Sequence, residues 1–271
     1  ALASALPDAG GKLLVLAHGL CMNDLQWKRQ GHDHGAALAR DLGCTSVYLH
    51  YNSGRHISVN GREFADLLEA LLANWPVPVE ELAILGHSMG GLLARSAWHY
   101  GTAAGHAWPQ RLKKLVFLGT PHHGAPMERG GNLIDIALGA SPYTAPLSRL
   151  GKIRSAGITD LRHTYLLDED WHGRDRFARS AGHHAVVPLP EDVPCYAIAG
   201  TTRDQPGDRK DRLTGDGPVP LASALGCHAE DDRNLMFPPD RQWIAHATGH
   251  LDLLCRTQVY ERIRDWLAER P

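Results

Sequence analysis

The stretch ELAILGHSMGG at residues 81–91 decides the fold of this chain. Its first residues form a short apolar run, which is typical of a strand buried on both faces of a parallel sheet. GHSMG at 86–90 fits the pattern G-x-S-x-G, and a helical pattern follows to about His99. Glycines at both ends of this pattern allow a sharp strand-to-helix turn that raises the serine hydroxyl above the sheet. We therefore predict that Ser88 is a nucleophile at the carboxyl end of a strand.

Strand and helix patterns alternate on both sides of this turn. Apolar runs predict further strands at 13–19, 45–51, 112–120, 194–200 and 241–247. Helical patterns predict helices at 33–42, 57–75, 90–99 and 255–269. The apolar positions of the second helix are Phe64, Leu67, Leu68, Leu71 and Leu72. Those of the last helix are Val259, Ile263, Trp266 and Leu267. The alternation predicts an α/β fold with a mostly parallel, doubly wound sheet of about six strands.

The regular pattern is interrupted between Pro121 and Pro190. This part of the chain is rich in Gly, Pro, His and Arg, with helical patterns at 132–139 and 143–151. Such an excursion forms either a lid or cap over a site or an elaborated surface loop. We favour the lid or pocket wall, because the excursion leaves a strand end near Ser88. The length of 271 residues otherwise suits a single domain over 1–271.

A serine hydroxyl is a weak nucleophile that needs a neighbouring base, and HATGHLDLL at 246–254 offers two histidines. His250 is preferred as the base, because it follows the last predicted strand in a turn that begins with glycine. His246 is expected inside that strand. In this type of site the base follows the nucleophile along the chain, with the acid between them.

The acid that orients His250 is predicted to be Asp216, on a turn between the last two strands. Asp204, which is nearer the strand end, and Asp211 are the alternatives. Asp252 is expected to cap the closing helix or to bind locally.

A tetrahedral oxyanion needs backbone N–H donors from the residue after the nucleophile and from the loop after an early strand. Met89 and Leu20 occupy these two places, the second within HGL at 18–20.

The composition excludes several other classes of function. A net charge of −2 and a pI near 6.8 do not favour nucleic acid or a polycation as partner. Seventeen histidines and five cysteines form no HExxH, CxxC or other metal-spaced group, so we expect no metal and no cofactor.

We expect a small-molecule substrate and no transmembrane segment, while the oligomeric state stays open. The first twenty residues lack the basic segment and cleavage site of a signal peptide. The chain begins at Ala1 without Met, which is compatible with a removed leader, so the location is left open, with the cytoplasm favoured.

Five ordered segments together resemble the lipase and esterase branch of the α/β-hydrolases: AHG at 17–19, GHSMGG at 86–91, LGTPHHGA at 118–125, GDGPVP at 215–220 and GHLDLL at 249–254. They look most like the group of bacterial triacylglycerol lipases, GPI inositol-deacylase-like proteins and lecithin-cholesterol acyltransferase-like enzymes. The resemblance implies Ser88, Asp216 and His250 as a catalytic triad and Leu20 and Met89 as oxyanion donors. It also implies that the GTPHHGA segment shapes the mouth of the site.

The chain departs from that group in several respects. Two leading strands common in the fold are absent, and no cysteine beside Asp216 could form the disulfide of the bacterial lipases. Asp252 matches one calcium ligand of those lipases, but no second ligand is evident, so we do not expect calcium. Residues 121–190 carry many charges and histidines, unlike the apolar lid of an interfacial lipase. We therefore expect a carboxylic ester hydrolase for short-chain or bulky soluble esters. The alternatives are a triacylglycerol lipase, thioesterase, amidase or acyltransferase with the same triad, or a non-catalytic binding protein of this fold.

Overall fold

A computed structural model describes residue 4 and residues 6–124, 155–173, 186–204 and 215–269 of the chain. Six parallel strands form one sheet: β1 Lys12–Ala17, β2 Thr45–Leu49, β3 Glu81–His87, β4 Leu112–Leu118, β5 Cys195–Gly200 and β6 Gln242–Ala245. Their order across the sheet is β2-β1-β3-β4-β5-β6. The predicted mostly parallel sheet of about six strands is therefore confirmed. The strand at 81–87 has the predicted bounds, and the others end within two residues of them.

Helices join the strands and cover both faces of the sheet. The described helices are α1 His34–Leu42, α2 Ile57–Asn74, α3 Met89–Ala103, α4 Trp108–Arg111, α5 Ala156–His163, α6 Asp168–Trp171, α7 Leu221–Ala224 and α8 Thr257–Ala268. The four helices predicted from apolar spacing are all present. Leu67 departs from the prediction, because its side chain is 51% exposed although its spacing matches the buried Phe64 and Leu68. The predicted helices at 132–139 and 143–151 lie outside the described residues.

Successive residues of the central strands point into two separate cores. In β1, Leu13 and Val15 pack with apolar residues of α2 and α3, whereas Leu14 and Leu16 pack with α1 and α8. This division follows from the two-residue period of a strand, which sends neighbouring side chains to opposite faces. The uninterrupted apolar runs seen in the sequence are therefore the signature of a sheet buried on both faces.

The strand order places a crevice at the carboxyl ends of β1 and β3. β1 pairs with β2 on one side and β3 on the other, so the winding of the chain reverses beside β1. Ligand sites in open α/β sheets lie outside the carboxyl ends of the strands at such a reversal. Ser88 follows β3 directly at this position.

The described part of the excursion at 121–190 is tied to the start of α2. The carboxylate of Asp160 is buried and accepts hydrogen bonds from Ile57 N at 2.7 Å and from His56 Nδ1 at 3.0 Å. The ring of Trp171 stacks on His56 with 3.7 Å between centroids, and its Nε1 donates to Ser58 Oγ at 2.9 Å. These contacts hold α5 and α6 against the body of the fold. A lid in the excursion stays a prediction.

A buried lysine joins β4 to the end of the closing helix. The Nζ of Lys114 donates to Trp266 O at 2.7 Å and Leu267 O at 3.0 Å, and also to the carbonyl of Glu269. The last carbonyls of a helix have no partner within the helix and carry partial negative charge, so an ammonium group there is stabilising. Lys114 thus fixes α8, whose residues Val259 and Ile263 complete one of the two cores.

We predict that Lys114→Met lowers the free energy of unfolding by about 1–3 kcal/mol, since it leaves the buried carbonyls without their donor. Urea unfolding followed by circular dichroism measures this change. Lys113→Met is the matched control, because the neighbouring Lys113 side chain is exposed. Equal stability of the two variants would contradict a role for Lys114 in holding the helix.

Candidate active site

The turn between β3 and α3 holds Ser88 in a conformation that L-residues rarely adopt. Its φ is 54° and its ψ is −123°, and its side chain is buried at the edge of the sheet. Backbone approaches leave no room for side chains on both sides of it. A Cβ on Gly86 would lie 2.6 Å from Gly91 Cα, and one on Gly90 would lie 2.2 Å from Ala17 O. The glycines of the motif are thus required by close packing, as the sequence predicted.

Asp216 and His250, which are 34 residues apart in the chain, lie together. Nδ1 of His250 is 2.6 Å from Oδ2 of Asp216, and both side chains are almost fully buried. The carboxylate accepts a hydrogen bond from Nδ1–H, so in the Nδ1–H tautomer Nε2 carries no proton. The backbone N–H of His250 donates to Asp216 O at 3.0 Å, and Val219 N donates to Asp216 Oδ1 at 3.1 Å. The acid is therefore fixed by its own turn and by the histidine segment.

The reactive atoms proposed from the sequence are buried and uncommitted. Ser88 Oγ and His250 Nε2 have no hydrogen-bond partner among the described residues, so they do not bond to each other. The His250 ring nevertheless lies beside the turn, with its centroid 4.7 Å from that of His87, the residue before Ser88. Catalytic hydrogen bonds are often long in unliganded enzymes and shorten when substrate binds.

The two predicted oxyanion donors belong to segments that lie beside Ser88. Met89 begins α3, and a Cβ on Gly19, next to Leu20, would lie 3.1 Å from Ser88 Cβ. Neither the Leu20 N–H nor the Met89 N–H donates a hydrogen bond within the described part of the chain. The side chains of both residues are buried in one apolar cluster. The positive end of the α3 dipole also faces this region.

The alternatives for the base and the acid that the structure describes are not part of the His250–Asp216 pair. Asp204 is exposed, and Asp211 lies outside the described residues. Asp252 accepts a hydrogen bond from Gly249 N at 3.2 Å, so it binds locally. The prediction that His246 lies within the last strand is wrong, because β6 ends at Ala245 and His246 is in the following turn.

Sequence reasoning missed the role of Gly119, directly after β4. Its φ is +54°, and a Cβ there would lie 2.8 Å from Asp216 Oδ2 and 3.1 Å from His250 Nδ1. A side chain would therefore displace the buried pair. The resemblance assigned the segment that contains Gly119 only to the mouth of the site. The positive φ of a glycine cannot be read from sequence, but its place after a strand end was a usable signal.

Within the described ranges, no group of three or more His, Cys, Asp or Glu side chains is arranged to hold a metal ion. All five cysteines are free. None of the helices in this part of the chain is long and apolar enough to cross a membrane.

A parallel sheet wound about β1, with a serine on a strained strand-to-helix turn at its carboxyl edge, defines the α/β-hydrolase fold. The model of the PGAP1-like alpha/beta domain family matches residues 9–189, more than half of the chain. The chain therefore belongs to the PGAP1-like alpha/beta domain family.

Three solved structures illustrate the shared fold, and two of them are named as a lipase or a hydrolase. The mature form of the Bacillus licheniformis lipase BlEst2 superposes with a TM-score of 0.57 at 16% identity, covering 93% of this chain and 91% of that one. RedJ gives a TM-score of 0.53 at 18% identity, with 96% and 92% covered. A Bacillus subtilis putative hydrolase gives a TM-score of 0.51 at 15% identity, with 94% and 84% covered. At these identities the likeness shows the fold. No curated protein matches the chain in sequence.

Three buried histidines surround the candidate site. Burial lowers the pKa of His18 to about 4, despite its bond to the Gly19 carbonyl. Burial likewise lowers the pKa of His34 to about 4, although its Nε2 donates to Leu253 O at 2.9 Å. The pKa of His87 is held well below 6.5 by burial and then by the neighbouring His250. These rings are neutral in the folded protein at neutral pH.

We predict that the free energy of unfolding falls as the pH is lowered from about 7 to about 5. The unfolded chain takes up protons at these histidines near their ordinary pKa of about 6.5. In the folded chain the pKa of His18 and of His34 is about 4, and the pKa of His87 is lowered in the same direction. Protonation therefore favours unfolding throughout that window. Urea titrations at the two pH values measure the change, and His34→Gln, which keeps an amide donor for Leu253, should reduce it. A stability that is independent of pH in this range would contradict the prediction.

Proposed function

We propose that this chain is a serine-dependent carboxylic ester hydrolase with Ser88, His250 and Asp216 as its catalytic triad. The family and the fold support an ester hydrolase in general. The observation that carries the proposal is the 2.6 Å bond between His250 Nδ1 and Asp216 Oδ2. That bond fixes the tautomer in which Nε2 is a free base, and this ring lies beside the turn that carries a buried, uncommitted serine hydroxyl.

The proposed reaction is acyl transfer through a covalent intermediate. His250 Nε2 takes the proton of Ser88 Oγ while the oxygen attacks the ester carbonyl. The imidazolium that forms is stabilised by the Asp216 carboxylate and returns the proton to the departing alcohol. Water then attacks the acyl-serine by the same route, with His250 again as the base. The carboxylic acid leaves, and the serine hydroxyl is restored.

The backbone N–H groups of Leu20 and Met89 are the proposed donors to the oxyanion. Since neither has a hydrogen bond within the described residues, both are available for a charge that develops beside Ser88. Removing one such donor from a hydrolase typically lowers the rate by about 10²- to 10³-fold. The dipole of α3 adds positive potential at the same place.

Short-chain or bulky soluble esters are the proposed substrates. The two donor residues share an apolar cluster with residues of α2, α3 and the excursion: Ile57, Leu92, Leu161, Leu166, Leu167 and Val187. These side chains offer an apolar wall to an acyl or alcohol group. Charged side chains lie on the outer side of the same segment, where Asp168 pairs with Arg62. This polar exterior favours dissolved esters over an oil interface. A triacylglycerol lipase, thioesterase, amidase or acyltransferase would use the same triad.

We predict that Ser88→Ala abolishes hydrolysis of p-nitrophenyl esters, with a loss of at least about 10³-fold in kcat. Wild type should be fastest on the shorter acyl chains of a series. Ser46→Ala is the control, because its hydroxyl donates to Gly35 O far from the turn. Equal turnover by wild type and Ser88→Ala would reject both the nucleophile and a catalytic role for this turn.

Asp216→Asn should lower kcat by about 10³- to 10⁴-fold while the fold is kept, because an amide NH₂ favours the wrong histidine tautomer. Asp204→Asn is the matched control, since Asp204 is exposed. Circular dichroism and ester kinetics on both variants measure the effect. If Asp204→Asn were the damaging change and Asp216→Asn harmless, the acid would be misassigned.

A further inference from the structure

We propose that His87 is a positioning residue that holds the segment carrying His250 against the turn carrying Ser88. This inference rests on the proposed function, because it assigns to His87 the task of placing the base beside the nucleophile. His87 makes no hydrogen bond to Ser88 Oγ or His250 Nε2.

A hydrogen bond between the two segments carries the inference. Nε2 of His87 is 3.1 Å from the backbone carbonyl oxygen of His250. A carbonyl can only accept, so Nε2 carries the proton and Nδ1 of the neutral ring does not. The bond crosses 163 residues of sequence. Because the acceptor is the backbone carbonyl of His250, this bond fixes the position of the His250 backbone. The bond to Asp216 fixes the orientation of the His250 ring.

The His87 ring is confined on its remaining sides. It is fully buried, and its centroid lies 6.4 Å from the Trp27 ring. A Cβ on Gly19 would lie 3.2 Å from His87 Nδ1 and 3.1 Å from Ser88 Cβ. The imidazole thus fills the space between the turn, the base segment and the loop that carries Leu20. A shift of one of these segments would be transmitted to the other two through this ring.

A neutral His87 is also what the proposed chemistry requires. Burial lowers its pKa most, and the charges of its titratable neighbours His250, His34 and His18 lower it further. The hydrogen bond to the His250 carbonyl raises the pKa, but burial outweighs it. A second cation with its ring centroid 4.7 Å from that of His250 would oppose formation of the imidazolium during the reaction. The neutral ring donates a hydrogen bond without placing a positive charge there.

The test compares His87→Leu, which removes the donor, with His87→Gln, whose amide nitrogen can reach the position of Nε2. We expect His87→Leu to lower kcat by about 10- to 100-fold with KM changed less than about two-fold, as for a small misplacement of a catalytic group. His87→Gln should recover most of this loss. Its kcat/KM should also keep the acid limb of the wild-type pH profile, since no charge has been removed. Lys114→Met controls for loss of stability alone, because Lys114 lies near the amino end of β4 and the site lies at the carboxyl ends of the strands.

Retention of wild-type kcat by a folded His87→Leu, or equal losses in the Leu and Gln variants, would overturn the inference. Nitrogen NMR of histidine-labelled wild type gives an independent readout, with His87 expected as the Nε2–H tautomer at neutral pH. A protonated Nδ1 on His87 would also overturn it, whatever the variants do. Ser88→Ala assayed in parallel separates the two proposals: full activity there rejects the triad, whereas an inactive Ser88→Ala beside a fully active His87→Leu rejects only the positioning role.

Discussion

The backbone strain at Ser88 is the constraint on which the geometry of the site depends. A positive φ at a non-glycine residue is unfavourable, and it persists only where the surroundings enforce it. Here Gly86 packs against Gly91 and Gly90 packs against the Ala17 carbonyl, so β3, α3 and β1 lie too close together for side chains at these positions. The same approach buries the start of α3 beside the loop after β1. The Ser88 hydroxyl is therefore held at the start of α3, close to the loop that carries Gly19.

The other half of the site is built from segments that are distant in sequence. The turn at Asp216, the segment at His250 and the residue before Ser88 are joined by three buried hydrogen bonds, two between His250 and Asp216 and one from His87 to the His250 carbonyl. Buried polar groups are stabilising when they are paired and unfavourable when they are not. Such a network therefore favours one arrangement of these segments, in which Ser88 Oγ and His250 Nε2 are buried without a hydrogen-bond partner among the described residues.

The fold could be predicted because its signals are local. Apolar runs and helical spacing located all six strands and the four longer helices, and the G-x-S-x-G pattern located the turn. Asp216 was predicted from its position between two strands, and the structure pairs it with His250. Errors arose where tertiary contacts decide: Leu67 faces solvent despite its spacing, and β6 ends before His246. Gly119 and His87 matter through contacts with residues more than 90 positions away, which no local pattern in one sequence contains.

Covalent labelling by a fluorophosphonate tests most directly whether Ser88 is the activated nucleophile. The reagent reacts with a serine that a base has activated and leaves a stable phosphonyl adduct. Intact-mass measurement followed by peptide mapping should show one adduct per chain, on Ser88. The folded His250→Gln variant should show no adduct. An adduct on another serine, or equal labelling of Ser88 without His250, would contradict the account.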